Sequence, residues 1–275
     1  MHGQISATFQ RARQGGRAAL IGYLPAGFPS VNGGIAAMRA IVEAGVDIVE
    51  VGLPYSDPTM DGPVIQDAVT AALRAGTTTR DVLRTVEGVA AAGAPTLVMT
   101  YWNPVDRYGV GAFARDLAAA GGAGVITPDL PPEEAGPWLA ACAEHGLDPV
   151  FVVAPSSTDE RLARVCAAAG GFVYAASLMG VTGARATLGA AAEELVGRVR
   201  TVTDLPVAVG LGVSTAEQVA QVAAFADGVI VGSALVRAVL AAHEAGASGQ
   251  DALREPRALA ARLAEGTRAG VTPVA

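Results

Sequence analysis

The chain has 275 residues, 51% of them hydrophobic and 16% charged, with a formal net charge of −7. That length holds one large α/β domain or two small ones, and an acidic balance without a long basic run argues against a nucleic-acid partner. All 19 basic residues are arginine, so a lysine Schiff base and a lysine-held pyridoxal phosphate are both closed to this chain.

The N-terminal segment is broken by Arg11, Arg13 and Arg17, so it lacks a signal-type apolar core. No run reaches the roughly 18 apolar residues of a membrane span. The expected location is the cytoplasm, with no membrane partner. Short apolar strands then alternate with Ala-rich helical patterns. Strands are predicted near Ala19–Tyr23, Ile48–Gly52, Thr96–Thr100, Gly124–Thr127, Pro149–Val153, Phe172–Ala176, Val207–Gly210 and Gly228–Val231. Helices are predicted near Gly33–Ala44, Pro63–Ala75, Thr79–Ala92, Val110–Ala120, Pro132–Glu144, Asp159–Ala169, Leu188–Thr201 and Ala216–Ala223. Ser30, the Ser156-to-Asp159 stretch and a Ser214–Glu217 capping box mark helix starts. Alternation repeated about eight times predicts a (β/α)8 TIM barrel, a single domain over 1–275. A short N-terminal helix precedes it and a helix near Ala252–Glu265 ends it. A doubly wound open sheet is the runner-up, but the Gly-rich fingerprint it often carries after the first strand is absent.

Cys142 and Cys166 lie in helical patterns without zinc-ligand spacing and read as buried thiols. His2, His145 and His243 are scattered, which argues against a metal site or a Ser-His-Asp triad. Neither metal nor cofactor is expected.

The stretch from Ile48 to Pro63 is the most informative. Ile48, Val49 and Val51 form a run typical of a strand covered on both faces, and Glu50 interrupts it. A carboxylate there is costly unless it is paired or used. Asp61 follows in a Pro/Gly-rich loop leaving the same strand. An acid on a strand end and another on the next loop suit a barrel active site. The alternative is a core acid tied to an arginine.

Two late strands end in glycine: Gly210-Leu211-Gly212-Val213-Ser214, and Gly232-Ser233-Ala234. Loops after the seventh and eighth strands of a barrel, with a helix N-terminus, commonly hold a phosphate. The small-residue segment from Ser177 to Ala184 suits a lid, or an ordinary surface loop.

Together these segments resemble the tryptophan synthase α subunit family, over nearly the whole chain and in order. The resemblance rests on the Glu50 strand with Gly52-Leu53-Pro54-Tyr55-Ser56-Asp57-Pro58 and Asp61-Gly62-Pro63. It rests also on Gly180-Val181-Thr182-Gly183, Gly210-Leu211-Gly212-Val213-Ser214 and Gly232-Ser233-Ala234. Phe28, Thr59-Met60 and Leu178-Met179 depart from residues common in the family. The resemblance implies retro-aldol cleavage of indole-3-glycerol phosphate to indole and glyceraldehyde 3-phosphate. It also implies a pyridoxal-phosphate β subunit as partner, in an α2β2 heterotetramer. Glu50 becomes the general acid/base and Asp61 the partner of the indole nitrogen. Tyr174, Tyr101 and Thr182 become substrate-binding residues, with Asn103 beside Tyr101. Gly183, Gly212, Gly232 and Ser233 hold the phosphate. Asp57 is placed at the β-subunit interface, and Asp129 at the site or that contact.

The chemistry agrees with the residue inventory. Without lysine or a metal cluster, the electron sink must lie in the substrate, where a protonated indole C3 provides one. A shielded carboxyl moves the proton, and a second carboxylate supports charge at the ring nitrogen. A free-standing indole-releasing lyase, a weakly catalytic scaffold that activates a β subunit, and a phosphate-binding barrel isomerase are the competing readings. The Glu50-to-Pro63 signature weighs against the last.

Overall fold

The computed structural model describes residues 3–176, 185–210 and 212–269. In chain order the first half runs α1 (Gln4–Gln14), β1 (Ala19–Pro25), α2 (Val31–Glu43), β2 (Ile48–Gly52), α3 (Pro63–Arg74), α4 (Thr79–Ala90), β3 (Thr96–Met99), α5 (Trp102–Tyr108), α6 (Val110–Ala119), β4 (Gly124–Ile126) and α7 (Gly136–His145). The second half runs β5 (Asp148–Val150), β6 (Val152–Val153), α8 (Asp159–Ala168), β7 (Val173–Ala176), α9 (Arg185–Arg200), β8 (Val207–Gly210), α10 (Ala216–Ala223), β9 (Gly228–Val231), α11 (Ser233–Glu244) and α12 (Gly249–Ala269).

The strands form one sheet in the order β5-β4-β3-β2-β1-β9-β8-β7-β6, and every paired neighbour is parallel. Its two edges, β5 and β6, are separated by Phe151 alone. Thr127 N donates to Val150 O at 3.3 Å on one side, and Tyr174 N donates to Phe151 O at 3.1 Å on the other. The predicted Pro149–Val153 strand is therefore a single stave with a break in its ladder, and it closes the sheet into a (β/α)8 barrel.

Strand parity decides which residues see the barrel interior. Ile21, Ile48, Leu97, Ile126, Val150, Phe172, Ala208 and Ile230 form an inner cluster, while Val49, Val51, Val98 and Val229 pack outward against helices. Burial on both faces explains the near-continuous apolar strands. Helix α1 plugs the N-terminal end with Ile5, Phe9 and Ala12, spaced to share one helix face. The Phe9 ring lies 5.6 Å from that of Phe172. The free Cys142 and Cys166 are buried, and burial pushes the Cys142 thiol up to about 12.

Several boundaries differ from the sequence reading. The capping box is Thr215 with Gln218, one residue beyond the expected Ser214–Glu217 pair. Gln218 Oε1 also accepts from Ser214 N and Ser214 Oγ, which draws Ser214 into the cap without making it the N-cap residue. Helices α5 and α11 were not singled out, because Pro104 interrupts the first and Gly232 precedes the second in place of a Ser or Asp cap. Among the described residues, no helix is long and apolar enough to cross a membrane.

Candidate active site

Strand β2 delivers Glu50 into the barrel, two residues beyond Ile48 on the inward face. Glu50 is 0% exposed, and neither carboxyl oxygen has a hydrogen-bond partner. Among the described residues no arginine ties it down, which speaks against the core ion-pair alternative. Burial pushes its pKa up from 4.5 to about 8, because an unpaired charge is disfavoured away from water. The group rests as a neutral acid at pH 7.

Two tyrosines share this end of the barrel. Tyr23 on β1 is the register partner of Glu50, and Tyr174 stands on β7. A Cβ added at Gly52 would fall 2.2 Å from Tyr23 Oη, and one at Gly210 would fall 2.7 Å from Tyr174 Oη. Glycine at both places is a steric requirement for the phenols. Each phenol pKa is pushed well above 10, first by burial and then by the charges of Asp61 and Glu50. Both acids therefore lie within electrostatic reach of the same two hydroxyls. Tyr174 was expected among the substrate-binding residues, whereas Tyr23 was missed. Its signal was a tyrosine at the C-terminal end of the expected Ala19–Tyr23 strand.

Asp61 sits half-buried in the loop between β2 and α3, and burial raises its pKa. That loop is anchored from β3's side. Tyr101 Oη accepts from Thr59 N at 3.1 Å and Met60 N at 3.0 Å. Gln66 Nε2 donates to Asp61 O at 2.8 Å. Tyr101 packs on Tyr55 with ring centres 5.4 Å apart, and the exposed Asn103 donates to Tyr55 Oη at 3.3 Å. The observed work of Tyr101 is thus to hold the loop that carries Asp61. Asp129 accepts from Trp102 N with both oxygens, at 2.9 and 3.1 Å, and so caps the start of α5. Asp57 is exposed and accepts from Ser56 Oγ. Phe28 is buried, edge-on to His243 at 5.5 Å.

The glycine-ended strands also converge here. Gly212 adopts φ +67°, a conformation that disfavours side chains. Gly232 directly precedes α11, and Ser233 is its first residue. A helix start of this kind offers N–H groups and partial positive charge to an anion. Gly232 also abuts Tyr23, whose Cδ1 would lie 3.4 Å from an added Cβ. Thr182, Gly183, Leu178 and Met179 lie outside the described residues. A cavity of about 1040 Å³ opens at the opposite end of the barrel, between α1 and the segments before β8 and β9. It contains neither acid.

Comparison with known proteins bears on the family and the fold. The family model described as tryptophan synthase alpha chain matches residues 9–266. A tryptophan synthase alpha chain from Streptomyces avermitilis is 60% identical over 267 residues, covering 97% of this chain and 95% of the relative. One from Acidothermus cellulolyticus is 60% identical, covering 96% and 97%. A solved structure of Mycobacterium tuberculosis tryptophan synthase superposes with a TM-score of 0.89 at 58% identity, covering 98% of this chain and 99% of that one. Tryptophan synthase subunit alpha from Legionella pneumophila gives 0.88 at 32% identity, covering 97% and 99%. The chain belongs to the tryptophan synthase alpha chain family.

Proposed function

We propose that the chain cleaves indole-3-glycerol phosphate to indole and glyceraldehyde 3-phosphate and passes the indole to a tryptophan synthase β subunit. The observation that carries this reading is a fully buried, unpartnered Glu50 with a pKa of about 8, beside the half-buried Asp61. Glu50 starts neutral and gives its proton to indole C3. The ring becomes an iminium-type cation, and the Asp61 carboxylate accepts the indole N–H as positive charge develops there. The Glu50 carboxylate then takes the proton of the side-chain hydroxyl. The C–C bond breaks, its electrons restore the indole ring, and the hydroxyl carbon leaves as an aldehyde. Glu50 ends protonated, so one carboxyl serves both transfers. No lysine is needed, and none is present.

Tyr174 lines the site beside Glu50, and Tyr101 flanks it while holding the Asp61 loop. Gly212, Gly232 and Ser233 receive the phosphate, with Thr182 and Gly183 closing over it. The reading places the protein in the cytoplasm and treats 1–275 as one barrel domain, supported by a sheet that every strand joins. The β subunit docks near the exposed Asp57 and Met60 to form an α2β2 assembly. Met60 is among the few exposed large apolar side chains, at 38%.

Indole release from indole-3-glycerol phosphate, by the chain alone and with a β subunit, tests this. Slow release that rises strongly with the partner is expected. Fast release alone indicates a free-standing lyase, and none in either case leaves the scaffold. Gly232→Val should raise KM for the phosphorylated substrate by about tenfold, roughly 1.4 kcal/mol of binding. An unchanged KM would move the phosphate elsewhere.

A further inference from the structure

We propose that the Tyr23 hydroxyl is a positioning residue for the proton transfers, donating a hydrogen bond to the Glu50 carboxylate formed once C3 has been protonated. This rests on the cleavage reading above. Inward positions on β2 are Ile48, Glu50 and Gly52, since alternate residues share a face. Gly52 has no side chain, and Tyr23 Oη stands 2.2 Å from where its Cβ would be. The phenol oxygen thus occupies the missing side chain's place, next to Glu50 along the same face. Tyr23 is also the cross-strand partner of Glu50, and its ring abuts Gly232 at the phosphate end. The ring therefore spans from the phosphate site to the acid.

Glu50 supplies the second observation. Both of its oxygens are buried without a partner. A neutral carboxyl tolerates that poorly, and a carboxylate far worse. The mechanism nonetheless requires a carboxylate between the two proton transfers. The titratable groups facing it are Tyr23 from β1, Tyr174 from β7 and Asp61 from the following loop, with Tyr101 beyond Tyr23. Asp61 only repels a second negative charge. Of these groups, only the phenols can donate. Burial keeps the Tyr23 phenol protonated well above pH 10, so it remains a donor across the working range.

The test is Tyr23→Phe, which keeps the ring and removes the oxygen. A donor favours the ionised carboxylate, so its loss raises the Glu50 pKa. With the β subunit present, kcat should fall about tenfold, KM should stay within about twofold, and the alkaline limb should move up by about one pH unit. Gly52→Ala, which displaces the hydroxyl, should move the limb the same way. In parallel, Glu50 is titrated by carboxyl 13C NMR in the free chain, and its pKa should rise by about one unit in Tyr23→Phe. An unchanged carboxyl titration, or a shift of the acid limb in place of the alkaline one, overturns the assignment. If wild type releases no indole while the carboxyl titration still shifts, the cleavage reading falls and the Tyr23–Glu50 bond stands.

Discussion

Replacing Glu50 by Gln is expected to lower indole release by about a thousandfold while the barrel remains folded. The amide matches the carboxyl in size but has no proton to give to C3 and cannot take one from the hydroxyl. Near-normal cleavage by this variant would end the acid/base assignment. The same substitution has a second readout in stability. In the unfolded chain Glu50 ionises near 4.5; in the folded chain it holds its proton to about 8. Between those values the folded state binds more protons than the unfolded one, so stability falls as pH rises. The contribution is fully present below about pH 4.5 and is lost as pH rises through about 8. The full effect is on the order of 4–5 kcal/mol. Urea melts from pH 5 to 8.5 should show wild type losing stability relative to Glu50→Gln. Parallel pH profiles would contradict the raised pKa. The position carries a cost in folding that its chemistry explains.

Asp61→Asn should lower kcat by about a hundredfold, the scale seen when one charge-stabilising group is removed from an active site. The neutral amide still accepts the indole N–H but does not stabilise the cation that forms after C3 protonation. Burial raises the Asp61 pKa. Because cleavage needs the carboxylate, activity should fall as pH drops through a value above the usual aspartate range. The profile is then bell-shaped, with Asp61 on the acid limb and Glu50 on the alkaline limb near 8. Steady-state kinetics across pH should show the acid limb vanishing in Asp61→Asn. An acid limb that persists would assign it to another group. Melting should be nearly unchanged, because the loop is tethered through the Asp61 backbone oxygen, held by Gln66.

Much of the candidate site was legible in the sequence. Glu50 stood out because a buried parallel strand has no ordinary use for an acid, and β2 runs over the expected Ile48–Gly52. Strands β8 and β9 likewise match their expected bounds, since β-branched residues bounded by glycine mark short core strands clearly. Tyr174 was legible through the family resemblance. Tyr23 was not, because a tyrosine in an apolar strand reads as core, and its neighbour Gly52 reads as a turn residue. The link between them exists only across strands. Tyr101 was expected at the indole pocket. Its hold on Thr59 N and Met60 N spans about forty residues of sequence and leaves no local pattern.

Repeated strand–helix alternation pointed to the barrel, and composition alone ruled out lysine chemistry. The sequence also put an acid, Glu50, inside an apolar strand where a core has no ordinary use for one. The assembled barrel was needed to see that Glu50 has no partner among the described residues, that two phenols stand over Gly52 and Gly210, and that the sheet closes at Phe151. Periodicity tells where a side chain points relative to its own strand. What it meets there depends on the register of strands far away in sequence, and that register is set when the barrel closes.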